Sequence, residues 1–208
     1  MKTLPALFRL ATLTMGLALA SCTNTQVSLD YQPQIGQMRQ GAPEFTVGRF
    51  NNVRQEGSFY LGTVRTPIGA PIENITTRTS VEDIVGNAFA HALDGRKMLS
   101  TQSRAKYIVA GDIMDLYCQL IVRPYAYARI RVNVYSASSG QVVFSRIYIG
   151  ERQSAAYTPG TGTPVPLLRD LTSRALQDAV DRALDDPEMR ARLGTRGARG
   201  PSYQPGML

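Results

Sequence analysis

Two cysteines, one histidine and a run of arginines interleaved with tyrosines are the residues of this sequence whose chemistry could define a function. Cys22 stands directly after Leu19-Ala20-Ser21, where an apolar N-terminal stretch ends and a polar one begins. Cys118 alternates with Leu116 and Leu120 in an extended run. A thiol needs a neighbouring base to act as a nucleophile, and this parity makes Cys118 a small core residue instead. His91 lies between Ala90 and Ala92, beside Asn87 and Asp94 at helical spacing, and reads as a surface or helix-edge histidine. Zinc requires three or four converging ligands. No Cys/His cluster is present, so neither a metal nor another cofactor is expected. Asp112 and Asp115 fall on opposite parities of a strand, which separates them onto opposite faces. Gly160-Thr161-Gly162 lacks the Gly-Lys-Ser/Thr that would follow in a phosphate loop and reads as a turn. No catalytic residue emerges, and the chain is not expected to be an enzyme; a hydrolase would need an active site that these residues do not supply.

One surface offers binding chemistry. Tyr127, Arg129, Arg131 and Tyr135 share one parity, opposite Ala128, Ile130, Val132 and Val134, and Tyr117, Gln119 and Asn133 join them. Forked guanidinium hydrogen bonds and ring stacking suit a phosphate or an acidic glycan. The plainer reading, and the favoured one, is the solvated side of a sheet whose helices both lie behind it. Arg146, Tyr148 and Arg152 join this face in one of the two parities open to their strand, whose Val142 and Phe144 share the same one.

Residues 1–21 combine Lys2 and Arg9 with the apolar run Leu10–Ala20 and a small-residue close. These are the marks of a secretory signal, and the run is short of the roughly 20 apolar residues of a membrane-spanning helix. With Cys22 after it, Leu19-Ala20-Ser21-Cys22 resembles the bacterial lipobox. That resemblance implies cleavage before Cys22, a diacylglycerol on its sulfur and an extracytoplasmic lipoprotein. One acyl chain gives only marginal membrane binding, about 10⁴ M⁻¹; two or three on one cysteine make a stable anchor. Residue 23 is Thr. In enterobacterial lipoproteins an Asp there retains the protein at the inner membrane, so the resemblance implies the outer membrane, facing the periplasm. Acylation would leave Cys118 alone, with no intramolecular disulfide, and the fold must then rest on its core. Cleavage removes Lys2 and Arg9 and lowers the net charge of +7 by two. The remaining basic balance favours acidic surfaces in general. The expected partners are the membrane, through the lipid on Cys22, and an envelope protein complex or an acidic lipid or glycan; nucleic acid is not expected.

The elements that must position these residues make one α+β domain over 44–193. Residues 22–43, rich in Gln, Gly and Pro after a polar start, read as a lipidated flexible tether, and 194–208 as a disordered tail. Glu44–Phe50 and Ser58–Val64 are strand candidates, with a loop over Thr66–Thr79 that holds at most a brief strand at Asn74–Thr77. Thr79 with Glu82, or Ser80 with Asp83, starts a helix. Its apolar face is Ile84, Val85, Ala88, Phe89, Ala92 and Leu93, and Gly95 is its C-cap, with Arg96 and Lys97 suited to the negative helix end. Tyr107–Val122, Ala126–Tyr135 and Gln141–Glu151 then form an antiparallel meander. In the first of these, Ile108, Ala110, Met114, Leu116, Cys118, Leu120 and Val122 share a parity. A second helix spans about Leu167–Leu184. Leu168, Leu171, Ala175, Ala179 and Ala183 face its core side, with Asp170–Arg174 and Asp178–Arg182 as i,i+4 pairs. Pro187 either breaks it or begins a short turn through Leu193. The expected architecture is an antiparallel sheet of four or five strands with two helices packed on one face.

This order of elements behind a lipobox is similar to the YajG-like lipoproteins of proteobacterial envelopes over residues 44–185. The similarity is carried by Phe45–Phe50, the Ser80–Leu93 helix, Tyr107–Leu120 with its Gly-Asp-Ile, and Leu167–Leu184. It implies a non-enzymatic, membrane-anchored binding or scaffold module. Related folds in auxiliary lipoproteins of lipid transporters and in activators of cell-wall synthases imply the alternative, an accessory or regulatory subunit.

Overall fold

The computed structural model of the protein describes residues 23–32, 40–42, 44–101, 103–158, 160 and 162–194. The signal segment, Cys22 and residues 195–208 of the expected tail lie outside them. In chain order the elements are β1 (Thr23–Val27), β2 (Phe45–Asn52), β3 (Tyr60–Arg65), β4 (Pro71–Thr77), α1 (Val81–Gly95), β5 (Tyr107–Leu120), β6 (Pro124–Ser136), β7 (Val142–Gln153), α2 (Val165–Leu184) and α3 (Pro187–Arg192).

The sheet has seven strands in the order β1-β4-β3-β5-β6-β7, with β2 also paired to β5. β5, β6 and β7 form the expected antiparallel meander. The pairs β1/β4, β2/β5 and β3/β5 are parallel, however, so the sheet is mixed and larger than the antiparallel one expected. Because β6 occupies one edge of β5 along its length, β2 and β3 share the other. β2 pairs with Tyr107–Ile113 and β3 with Cys118–Leu120. Parallel neighbours need a long crossover, and the chain from β3 through α1 supplies it for β2 and β5.

The gap between β2 and β3 is filled by Arg54. Its guanidinium donates to the carbonyls of Tyr60 (3.1 Å), Gly57 (2.9 Å) and Leu116 (2.5 Å), and its Nε to Asn52 Oδ1 (2.9 Å). Burial without a carboxylate in contact lowers its pKa. A cation thus satisfies carbonyls at the break in the ladder, Leu116 within β5 among them.

Both long helices lie on one face of the sheet. α1 begins at Ser80, whose Oγ accepts the Asp83 amide (3.2 Å), and buries the apolar face read from its spacing. Phe89 of that face stacks on Phe50, ring centroids 4.8 Å apart. The C-cap is Arg96 rather than Gly95, and Lys97 takes the left-handed conformation (φ 57°) that glycine would adopt without strain. α2 lies against β5, β6 and β7 and buries Leu168, Leu171, Ala175, Ala179 and Ala183. It approaches β7 so closely that a Cβ on Gly150 would stand 1.8 Å from the Ala175 carbonyl oxygen. Pro187 begins α3, capped by Asp186. The two i,i+4 pairs expected on α2 do not form. Asp170 pairs with Arg169 and Asp178 with Arg152 of β7, while Arg182 donates to the Ile149 carbonyl (2.7 Å).

Residues 23–32 correct the expected tether. Thr23–Val27 add a strand parallel to β4. The chain then crosses α2, where Ser173, Gln177 and Asp181, four residues apart, receive it. The Asp30 amide donates to Ser173 Oγ (3.3 Å), Gln177 Nε2 to the Gln32 carbonyl (2.9 Å), and Tyr31 Oη to Asp181 Oδ1 (2.5 Å). This stretch is a strap held to the domain. The remainder of the expected tether, 33–39 and Pro43, lies outside the described residues.

Candidate functional site

The face of the sheet away from the helices carries the residues that the sequence offered for binding. Strand alternation in β6 brings Tyr127, Arg129, Arg131 and Tyr135 to this face, none of them buried, while Ala128, Ile130, Val132 and Val134 are fully buried beneath the helices. Tyr117, Tyr125 and Tyr127 cluster there with ring centroids 5.8–6.3 Å apart. Burial within the cluster, and then the neighbouring Tyr117 and Glu151, push the Tyr125 hydroxyl up to about 12.

The two arginines are each matched by a carboxylate. A bulge between Ile113 and Asp115 inserts an extra residue in β5, so Asp112 sits opposite Arg131 and Asp115 opposite Arg129. The contacts are 3.2 Å for Arg131–Asp112 and 2.6 Å for Arg129–Asp115. This overturns the opposite-face expectation for Asp112 and Asp115: the bulge flips the parity between them. It also corrects the reading of β5, whose buried residues are Val109, Gly111 and Ile113 before the bulge and Leu116, Cys118 and Leu120 after it. Ile108, Ala110 and Met114 are only partly buried, and Val122 is exposed beyond the strand. Ile147 and Ile149 of β7, opposite Arg131 and Arg129 in the neighbouring register, are exposed on the same surface. The result is a broad face of tyrosine, isoleucine and neutralised ion pairs rather than a cationic one.

Arg146, Tyr148 and Arg152 belong to the other face. Arg146 Nη1 and Tyr148 Oη both donate to Asp186 Oδ2 (2.7 and 2.6 Å), and Arg146 also pairs with Glu188. Burial disfavours the Asp186 carboxylate. The Tyr148 hydroxyl, the Met189 and Glu188 amides and Arg146 outweigh it and hold Asp186 below its ordinary value. Beside it, Asp185 accepts a two-pronged bond from Arg96 (Nε 3.2 Å, Nη2 2.7 Å), and Arg190 Nη2 lies 3.2 Å from the same carboxylate. Arg96 also reaches Asp181 (3.0 Å) and the Ala92 carbonyl (3.1 Å), and its own surface is fully buried. Burial opposes its charge, but Asp185 and Tyr31 overcome that and raise its pKa. Sequence reading placed Arg96 as a helix-end cation; the adjacent Asp185-Asp186 pair, just before a proline, is the one signal that could have pointed to this junction.

The remaining candidates stay apart. Cys118 is a free, fully buried thiol, pushed up to about 11 by burial. His91 is exposed on α1, at the rim of a groove of about 660 Å³ between that helix and the strap. Among the described residues no three His, Cys, Asp or Glu side chains converge as a metal site, and no helix is long and apolar enough to cross a membrane.

No protein-family model matches the chain, and no curated protein is similar to it in sequence. Solved structures with similar folds include a Xanthomonas campestris protein of family DUF330, at TM-score 0.59 and 16% identity, covering 83% of this chain and 98% of that one. Lower in similarity are a PelC dodecamer from Paraburkholderia phytofirmans (TM-score 0.40, 12% identity, 74% and 93% covered) and a minor lipoprotein from Acinetobacter baumannii (0.38, 7%, 65% and 94%). The chain therefore shares the fold of the DUF330 protein.

Proposed function

We propose that the chain is a lipoprotein of the bacterial envelope, anchored through acylated Cys22, that works as a non-enzymatic binding or scaffold module. The observation that carries this reading is the apolar segment ending in Leu19-Ala20-Ser21-Cys22, with Cys22 bonded to the first residue of a folded strand. The described side chains support a module rather than a catalyst. Cys118 is sealed in the core, His91 stands alone, and each acid–base pair on the open face is neutralised by its neighbour. The open face favours partner binding through tyrosine and isoleucine over capture of a free anion. That composition also supports the second reading, an accessory subunit of an envelope lipid-transport complex or an activator of a cell-wall synthase. The YajG-like assignment and the outer-membrane address rest on the sequence resemblance alone.

Crosslinking in intact cells, then recovery from membranes of wild type and Cys22→Ala, tests both readings. The anchored module requires that Cys22→Ala leave the membrane fraction. A discrete crosslinked complex, lost with the anchor, selects the accessory subunit; recovery of the wild type alone selects the free-standing module. Retention of Cys22→Ala in the membrane would overturn the anchor.

A further inference from the structure

We infer that one end of the sheet is a lipid-docking surface, seated on the membrane directly beneath the anchor. This deepens the proposed function and rests on its reading of Cys22 as the acylated residue. Thr23, to which Cys22 is bonded, pairs with Glu73 at the start of β4. β4 is antiparallel to β3, and β3 is parallel to β5. The start of β1, the β3–β4 turn, the β5–β6 turn and the end of β7 therefore all lie at the same end. Because 23–27 are strand, no slack separates that end from the lipid.

What this end presents fits a lipid interface. The β3–β4 turn is tightly closed. The Thr66 amide donates to the Ala70 carbonyl (2.8 Å), the Ala70 amide to Thr66 Oγ1 (3.0 Å), the Gly69 amide to the Thr66 carbonyl (2.8 Å), and Arg65 Nη1 to the Gly69 carbonyl (3.1 Å). Gly69 has φ 90°, a conformation that glycine adopts freely. At the summit of this turn Ile68 is 93% exposed, with Ile72 half exposed beside it. The turn thus holds a large aliphatic side chain in the open on a well-bonded backbone. In the β5–β6 turn Ile121 and Val122 are exposed, and Tyr125 begins the tyrosine cluster just above them. Arg123 is exposed in the same turn and has no carboxylate partner among the described residues. Aliphatic tips, a tyrosine collar and unpaired arginine match the acyl boundary, the headgroup layer and its phosphates in turn. The opposite end of the meander turns through the small residues Ser138, Ser139 and Gly140, with Val142 half exposed at the start of β7.

The test uses full-length acylated protein, purified from membranes and reconstituted in phosphatidylethanolamine–phosphatidylglycerol vesicles doped with doxyl-labelled lipid. Fluorophore is attached through Ile68→Cys, Val122→Cys or, at the far end, Ser139→Cys. The buried Cys118 is inert to labelling, and unsubstituted protein serves as the blank. Quenching severalfold stronger at 68 and 122 than at 139 is the expected result. Equal quenching at all three, with mass spectrometry showing acylated Cys22, would overturn the docking surface while leaving the anchor intact. Absence of the acyl mass would overturn the anchor, and the docking surface with it. Ile68→Asp, at a site with almost no protein contact, should keep the fold and the acyl anchor yet reduce quenching at 122; unchanged quenching there would also overturn the proposal.

Discussion

The two faces of the sheet use the same kinds of charged group to opposite ends. On the helix side, Arg96 is sealed between α1 and α2 and holds Asp181, Asp185 and, through Tyr31, the strap. On the open side, Arg129 and Arg131 make equally short contacts with Asp115 and Asp112, but with some two-fifths of each arginine side chain in water. Distance alone would rank these pairs together. Burial separates them at the cation: fully buried Arg96 cannot lose its carboxylates without being left unmatched in a poor dielectric, whereas water replaces a lost partner at Arg129 and Arg131.

The sharpest way to break this contrast is Arg96→Ala. It empties a fully buried site between α1 and α2, takes away the guanidinium facing Asp181 and leaves Asp185 to Arg190 alone, and is expected to cost about 3–4 kcal/mol of unfolding free energy, read from urea denaturation; a loss as small as that of a surface pair would remove the distinction. Gly150→Ala comes next. Its Cβ would meet the Ala175 carbonyl, so α2 must lift from β7, at about 2–3 kcal/mol. A neutral result would show that the covered face is looser than its geometry.

Asp186→Asn keeps the helix-capping oxygen but removes the charge facing Arg146 and Tyr148. The folded carboxyl lies below its ordinary 3.8. Its stabilisation is therefore complete above that value and is lost as pH falls through the lower folded one. The melting-temperature gap between wild type and variant should be constant near neutrality and close below about pH 4. A gap that persists in acid would assign the effect to shape rather than charge. The smallest effect belongs to Arg129→Ala and Arg131→Ala, each expected to cost less than about 1 kcal/mol and to shrink further in high salt. A large, salt-insensitive loss would move these pairs into the class of the buried junction.

Much of the helix-covered half was legible because its signals are local. The Ser80 cap and the 3.6-residue spacing of Ile84 to Leu93 specify α1 within one stretch of chain. The alternation of β6 and the turn after it specify the meander. Parallel pairing has no such signature, since the strands it joins are far apart and no turn links them. β1 was invisible for a second reason: Thr-Asn-Thr-Gln-Val is an edge strand with little to bury, and its pattern is that of a linker. On the open face the tyrosine and arginine parity of β6 was readable, but their partners were not. A single extra residue between Ile113 and Asp115 inverts the alternation, and nothing in Gly-Asp-Ile-Met-Asp announces it. Arg96 was misplaced because a basic residue after a helix ordinarily serves the helix end, and only the tertiary arrival of Asp185 makes it a core residue.

The strap gives the molecule a mechanical polarity. A pull on the N-terminus toward the lipid runs along the axis of β1, so the β1–β4 ladder bears it in shear, all bonds at once, and not one by one as in unzipping. Behind that ladder, Tyr31 and Gln32 are moored to α2, which passes the load to the widest part of the sheet. The same domain tugged from the α3 end meets only a six-residue helix first. The end that would be tied to the membrane is also the end built to be pulled.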